Sequence, residues 1–113
     1  MDHAVNKVLN DYHARATREA DLMQSMEPPK IAAILDDLLL AVGPETGTVL
    51  NLLARGMGAK TIVELGTSYG YSTVYLAEAA RATGGKVITF ELAEKKARYA
   101  REQLARAGLE QLV

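Results

Sequence analysis

The chain has 113 residues, 13 basic against 14 acidic for a formal net charge of -1, with 49% hydrophobic and 24% charged residues. That size admits one soluble, globular domain, shorter than the ~150 residues typical of a complete unit, and the balanced charge gives no long-range field toward nucleic acid or an anionic membrane. Cysteine is absent, which removes disulfides and thiolate metal sites and suits a reducing cytoplasm; Met1-Asp2-His3-Ala4 lacks the basic, then apolar, start of a signal peptide, and no apolar run approaches a ~20-residue membrane span.

Val5, Val8, Leu9, Tyr12 and Ala16 recur at helical spacing, so residues 3 to about 24 are expected to form an amphipathic helix. Glu27-Pro28-Pro29 ends it and reads as a hinge, which divides the chain into an N-terminal helix and hinge, 1–29, and a main unit, 30–113. Ile31, Ile34, Leu35, Leu38, Leu39 and Val42 predict a second helix over 30–41, stopped at Gly43. Pro44 opens a third helix, to about Arg55, with Val49, Leu50, Leu52 and Leu53 toward the core. After Gly56 and Gly58 come a strand over 61–65, a glycine turn, and a helix beginning at Gly70 or Ser72, with Val74, Leu76, Ala77 and Ala80 toward the sheet. Gly84-Gly85 turns the chain into a second strand, 86–91. A last helix, from about Ala93 to Ala107, buries Ala97, Ala100, Leu104 and Ala107; Gly108 stands where a left-handed cap belongs, Leu109 packs back, and Leu112-Val113 reads as a third strand cut at its start. The order is that of α/β chains: the N-terminal half of a Rossmann-like, doubly wound parallel sheet preceded by helices.

The informative segment is Glu64-Leu65-Gly66-Thr67-Ser68-Tyr69-Gly70-Tyr71-Ser72. It joins the carboxyl end of a strand to a helix, the place where open parallel sheets bind ligands. A phosphate loop would offer Lys and avoid a carboxylate, and the dinucleotide fingerprint would need glycine where Ser68 stands. Glu64 instead favours a cofactor that carries positive charge and no phosphate, of which S-adenosylmethionine is one. Glu91 ends the second strand 25 residues beyond Gly66, near the ~20-residue offset at which an acid accepts hydrogen bonds from ribose hydroxyls.

These motifs, with Phe90-Glu91 and the upstream Val42-Gly43-Pro44-Glu45-Thr46-Gly47, resemble the cation-dependent O-methyltransferases that include the catechol and caffeoyl-CoA enzymes, within the class I methyltransferases. The resemblance covers roughly residues 30–113. It implies that the Val42 backbone touches the methionine part of the cofactor, Glu64 holds the amino group, Gly66 and Thr67 line the turn, Ser72 binds the carboxylate and Glu91 the ribose. Gly70 belongs to the same turn, and from its place there Tyr71 is expected to stack on the cofactor, with mere cover of the turn as the plainer reading. It also implies a small hydroxylated, catechol-like acceptor, and a divalent cation whose ligands, like the catalytic base, lie after later strands that this chain does not contain. No catalytic residue and no metal ligand is therefore assigned within the chain.

Plainer readings stand beside these. Glu64 can be a solvated strand end or the partner of Lys60, Glu91 can cap the following helix through its dipole, and Ser72 can be an N-cap. His3 and His13 lie ten residues apart, not at ligand spacing, and read as solvated surface. Lys95, Lys96, Arg98, Arg101 and Arg106 alternate with Glu94 and Glu102 as a solvated helix face with i, i+4 pairs. The first strand has an open edge, which leads us to expect a homo-oligomer or a portion of a longer protein. Two other functions fit parts of the pattern: a non-catalytic self-associating module, and an NAD-type nucleotide-binding half-domain.

Overall fold

The computed structural model describes residues 1–113. Its elements in chain order are α1 (His3–Gln24), α2 (Pro28–Ala33), a 3-10 turn (Leu35–Asp37), α3 (Pro44–Gly56), β1 (Thr61–Leu65), α4 (Tyr71–Thr83), β2 (Lys86–Phe90), α5 (Glu94–Arg106) and a 3-10 turn (Glu110–Leu112). β1 and β2 form a parallel pair in which Ile62 stands beside Val87 and Glu64 beside Thr89. Because strand side chains alternate, Ile62, Glu64, Val87 and Thr89 face the helices. On the opposite face Val63, Leu65, Ile88 and Phe90 are exposed.

The central element is α4. Residues 73–80 are all buried, and α1, α3, α5 and the sheet all pack around it. Val74, Leu76, Ala77, Ala79 and Ala80 make most of its surface apolar, and the buried Thr73 and Glu78 are hydrogen-bonded. Val5, Val8, Leu9 and Tyr12 of α1 join the same core cluster. Burying four such side chains, each worth about 1.5–3 kcal/mol, ties the first helix to the sheet unit. At the far end, Gly108 adopts φ +73°, and the amides of Gly108 and Leu109 donate to the carbonyls of Ala105 and Leu104, a Schellman cap that seats Leu109 in the core.

Four expectations are corrected. Pro28 and Pro29 are not a hinge but the first two residues of α2, where a missing amide costs nothing. The helix expected over 30–41 ends at Ala33, and the chain turns extended at Leu38. The cause is competition for the backbone: Asp36 O accepts from the Tyr69 hydroxyl, Asp37 O from Arg15, and Leu39 N–H donates to Glu19. Leu38 and Leu39 are then buried as an extended strap, not as a helical stripe.

The third correction concerns α3. It meets α4 through Gly47, Asn51 and Ala54, while Val49, Leu52 and Leu53 are 54%, 61% and 57% exposed. A polar network turns the helix this way. Asn51 Nδ2 donates to Tyr75 O and to Glu78 Oε1, both at 2.8 Å, and Arg55 donates to both Glu78 oxygens. Fourth, Leu112-Val113 pairs with no strand. Leu112 N–H donates to Leu109 O in a 3-10 turn, and Val113 lies against the cavity beside β2.

Candidate functional site

The turn after β1 is built from positive backbone angles. Gly66 has φ +85°, Ser68 +52° and Gly70 +92°, so three of five residues occupy the left-handed region. Gly70 is constrained twice, since a Cβ there would lie 2.7 Å from the Ala100 Cβ of α5. At Gly66 an added Cβ meets nothing within 4 Å, so that side of the turn faces open space. The amides of Gly66 and Thr67 both donate to Phe90 O, which fastens the turn to the end of β2. No side chain caps α4, and its first backbone bond runs from Val74 N–H to Gly70 O, leaving the amides of Tyr71, Ser72 and Thr73 without acceptors inside the helix.

Glu64 is half-buried beneath this turn. Its Oε2 accepts from the Ser72 hydroxyl at 2.6 Å, and its Oε1 from Thr73 at 2.6 Å and Thr89 at 2.8 Å. A hydroxyl has one proton, so Thr89, having given its own to Glu64, accepts from Thr67. Lys60 is engaged elsewhere, with Thr83 O. Glu64 is thus no ion-pair partner of Lys60 but the centre of a hydroxyl cluster that joins β1, β2, the turn and the first turn of α4.

Glu91 makes a different set of contacts. Its Oε1 accepts from Ser68 N–H at 2.7 Å and its Oε2 from Ala93 N–H at 3.0 Å. The Ala93 amide foremost, and the Ser68 amide after it, hold the Glu91 carboxyl below its ordinary range against some burial. A carboxylate has about four acceptor positions, so two remain for a ligand.

Two cavities adjoin these carboxylates. One, of about 130 Å³, is walled by the strap Leu39–Val42 and by Gly66–Tyr69, Tyr71 and Ser72. The other, of about 520 Å³, lies between β2 and α5, with Thr67, Thr89, Glu91 and Arg101 on its wall. Thr67 belongs to both. Val42, Gly66, Thr67, Tyr71 and Ser72 therefore meet at the small cavity, and Glu91 at the large one. Glu64 lines neither and reaches the small cavity through Ser72, while Gly70 lies beneath the turn against α5.

Tyr71 is buried, with its hydroxyl 2.7 Å from His13 Nε2 and 3.2 Å from the Tyr75 hydroxyl. His13 is accordingly not a solvated surface residue; His3 is exposed. Burial first, and the Tyr75 hydroxyl second, push the Tyr71 phenol well above its ordinary range. The basic residues of α5 are also partly redirected. Arg98 pairs with Glu94, but Lys95 and Lys96 pair with Asp37 and Asp36, and Arg106 with Asp11.

Sequence reasoning missed Thr73 and Thr89, two of the three donors to Glu64. A signal was available for Thr89: alternation along β2 puts it on the face of Val87, and a parallel register puts that face beside Glu64. Nothing comparable marks Tyr12, His13 or Glu19, whose contacts lie 20 to 58 residues away.

Against known proteins, the O-methyltransferase family model matches residues 15–113. A catechol O-methyltransferase of Mycobacterium tuberculosis is 34% identical over 107 residues, covering 76% of this chain and 48% of that protein. A catechol O-methyltransferase of Niastella koreensis is 44% identical over 70 residues, 62% of this chain and 31% of that one. Among solved structures, the O-methyltransferase TomG from Streptomyces achromogenes, in complex with SAM, superposes with TM-score 0.68 at 35% identity, over all of this chain and 41% of its own. The O-methyltransferase from Bacillus cereus in complex with SAH gives 0.64 at 31%, over all of this chain and 42% of its own. The chain thus spans less than half the length of these relatives. No helix is long and apolar enough to cross a membrane. With the family model aligned over the strap, the turn and both carboxylates, the chain belongs to the O-methyltransferase family.

Proposed function

We propose that this chain is the donor-binding part of an S-adenosylmethionine-dependent O-methyltransferase acting on a hydroxyl of a small, catechol-like acceptor. The carrying observation is the hydroxyl-anchored Glu64 at the end of β1, one side chain removed from a cavity that opens on Gly66 and Ser72. The residues fit the cofactor's groups. Three hydroxyls leave Glu64 about one acceptor position for an ammonium, the unpaired amides at the start of α4 are donors for a carboxylate, to which Ser72 adds its proton only by turning it from Glu64, and the free acceptor positions of Glu91 suit two ribose hydroxyls. The larger cavity falls within the ~300–1,000 Å³ of ordinary ligand sites, and a nucleoside there would reach Glu91 while its amino-acid end reached across Thr67.

S-adenosylmethionine, when bound, supplies a methyl group on a sulfonium. The chain's own residues hold and orient it. Three hydroxyl donors keep Glu64 from swinging to solvent, and the left-handed turn keeps side chains out of the way at Gly66. Positioning of this kind supplies a large part of the rate in a displacement reaction. No three His, Asp or Glu side chains of the chain gather where they could share a cation. The divalent cation that the resemblance implies is proposed for the longer protein only.

In this reading residues 30–113 form the cofactor-binding portion, α1 stands over it, and the absence of cysteine suits the cytoplasm. The bare β1 edge and the exposed Val63, Leu65, Ile88 and Phe90 are an interface for the remainder of a longer protein, with self-association of this chain as its substitute. Sedimentation at rising concentration tests that point. The function itself is tested by calorimetry with S-adenosylhomocysteine on the full chain. Saturable binding is expected, lost in Glu64→Ala and weakened in Glu91→Ala, with no binding of NAD. Tight NAD binding, or wild-type affinity in Glu64→Ala, would overturn the reading.

A further inference from the structure

α1 does two separate things along its length. Its first half supplies Val5, Val8 and Leu9 to the core. From Tyr12 onward, beside the core packing of the Tyr12 ring and Ala16, it makes polar contacts that fall on the two segments walling the small cavity and on Asp37 just before the strap. The buried Tyr12 hydroxyl donates to Tyr69 O in the glycine turn at 2.5 Å, and His13 reaches Tyr71 at 2.7 Å. Arg15 lies 4.5 Å above the Tyr69 ring and donates to Asp37 O at 2.8 Å. Glu19 accepts from Leu39 N–H at 2.7 Å through one oxygen and from Arg15 Nε at 2.9 Å through the other.

Two of these partners, Tyr69 O and Leu39 N–H, are main-chain groups of irregular segments, which regular structure cannot satisfy. Both segments also hold non-glycine residues at positive φ, Ser68 at +52° and Leu40 at +48°. Such conformations persist only where the surroundings over-determine them. Tyr12 and His13 precede the residues that match the family model, so this half of the contact set is not part of the pattern that identified the chain.

We infer that Tyr12 and Glu19 of α1 are positioning residues for the donor cavity, Tyr12 holding the glycine turn through Tyr69 O and Glu19 holding the strap through Leu39 N–H. The inference rests on the reading of that cavity as the donor site. Neither residue touches the ligand; each acts by keeping a wall in its binding conformation before the ligand arrives, which lowers the ordering cost of binding.

The test uses the full chain with Tyr12→Phe, which keeps the ring and removes the hydroxyl, with Glu19→Ala, and with Glu19→Gln, whose amide oxygen can still accept from Leu39. Amide hydrogen exchange is followed without ligand, and S-adenosylhomocysteine binding by calorimetry. Tyr12→Phe is expected to speed exchange at Ser68 and Gly70 but not in β2 or the middle of α4, and to weaken binding about fivefold, the worth of one neutral hydrogen bond. Glu19→Ala is expected to speed exchange at Leu39, and Glu19→Gln to restore it. Exchange rising evenly through the chain, or unchanged exchange together with unchanged affinity, would overturn the inference. If the wild-type chain fails to bind S-adenosylhomocysteine, the functional reading falls, and the exchange pattern still decides whether α1 holds the two walls.

Discussion

Gly47 of α3 lies so close to the ring of Tyr75 of α4 that a Cβ placed on Gly47 would stand 2.4 Å from Tyr75 Cε2. The ring is buried and its hydroxyl faces that of Tyr71, so it cannot swing aside without breaking the chain of hydroxyls that ends at His13. Gly47→Ala should therefore force α3 away from α4 and destabilise the chain by about 1–3 kcal/mol, as overpacking of a core commonly does. A urea midpoint that falls while the slope stays constant would bear this out. An unchanged midpoint would mean that the two helices are not in close contact.

The two glycines of the turn should separate folding from binding. Gly66→Ala places its methyl in open space, so only the backbone angle is penalised, by about 1–2 kcal/mol. Affinity for S-adenosylhomocysteine should nonetheless collapse, because the methyl intrudes where the ligand approaches. Gly70→Ala drives its methyl into Ala100 and should damage stability as well. Melting and calorimetry on both variants check the contrast; equal effects on both properties in both variants would refute it.

Arg55→Ala should cost about 1–3 kcal/mol near neutral pH, the low end for a broken pair because Arg55 is itself partly exposed. Burial works to raise the Glu78 carboxyl, but Arg55 and then Asn51 outweigh it and hold the group below its ordinary 4.5. A carboxyl lowered by folding adds stability that is complete above 4.5 and is lost as pH falls through the folded value. The gap between wild type and variant should accordingly narrow below about pH 4. Urea unfolding at pH 7 and pH 3.5 measures it, and a gap that widens on acidification would reverse the sign.

Ser68 carries a glycine's backbone angle without being one. Ser68→Gly should remove that strain and raise stability by about 0.5–1 kcal/mol, while its amide still donates to Glu91. Thermal unfolding is the check. A loss of stability would show that the serine side chain contributes more than its backbone costs.

The turn was legible in the sequence because its requirements are local. Gly66 and Gly70 occupy left-handed angles, Glu64 lies one residue before the end of β1, and Glu91 directly follows β2; each follows from residues within a few positions of itself. The strap was not legible. Ile31 to Val42 has a helical stripe, and what defeats it after Ala33 is the capture of three backbone groups by Arg15, Glu19 and Tyr69, none of them neighbours in sequence. The orientation of α3 was not legible for a related reason: Val49, Leu50, Leu52 and Leu53 suggest an inward apolar face, yet Gly47, Asn51 and Ala54 face α4 because only small residues admit Tyr75, and Asn51 can answer Glu78.

By itself, then, the amino-acid order settled the strand–turn–helix–strand order, the place of the turn and the two strand-end acids, because propensity, periodicity and glycine angles act over a few residues. Only the tertiary structure decided that Glu64 sits in a cluster of three hydroxyls, that the two cavities meet at Thr67, and that α1 reaches both walls of the smaller one. Those relationships depend on which backbone groups remain unpaired once the helices have packed, a condition that exists only when the whole chain has closed around α4.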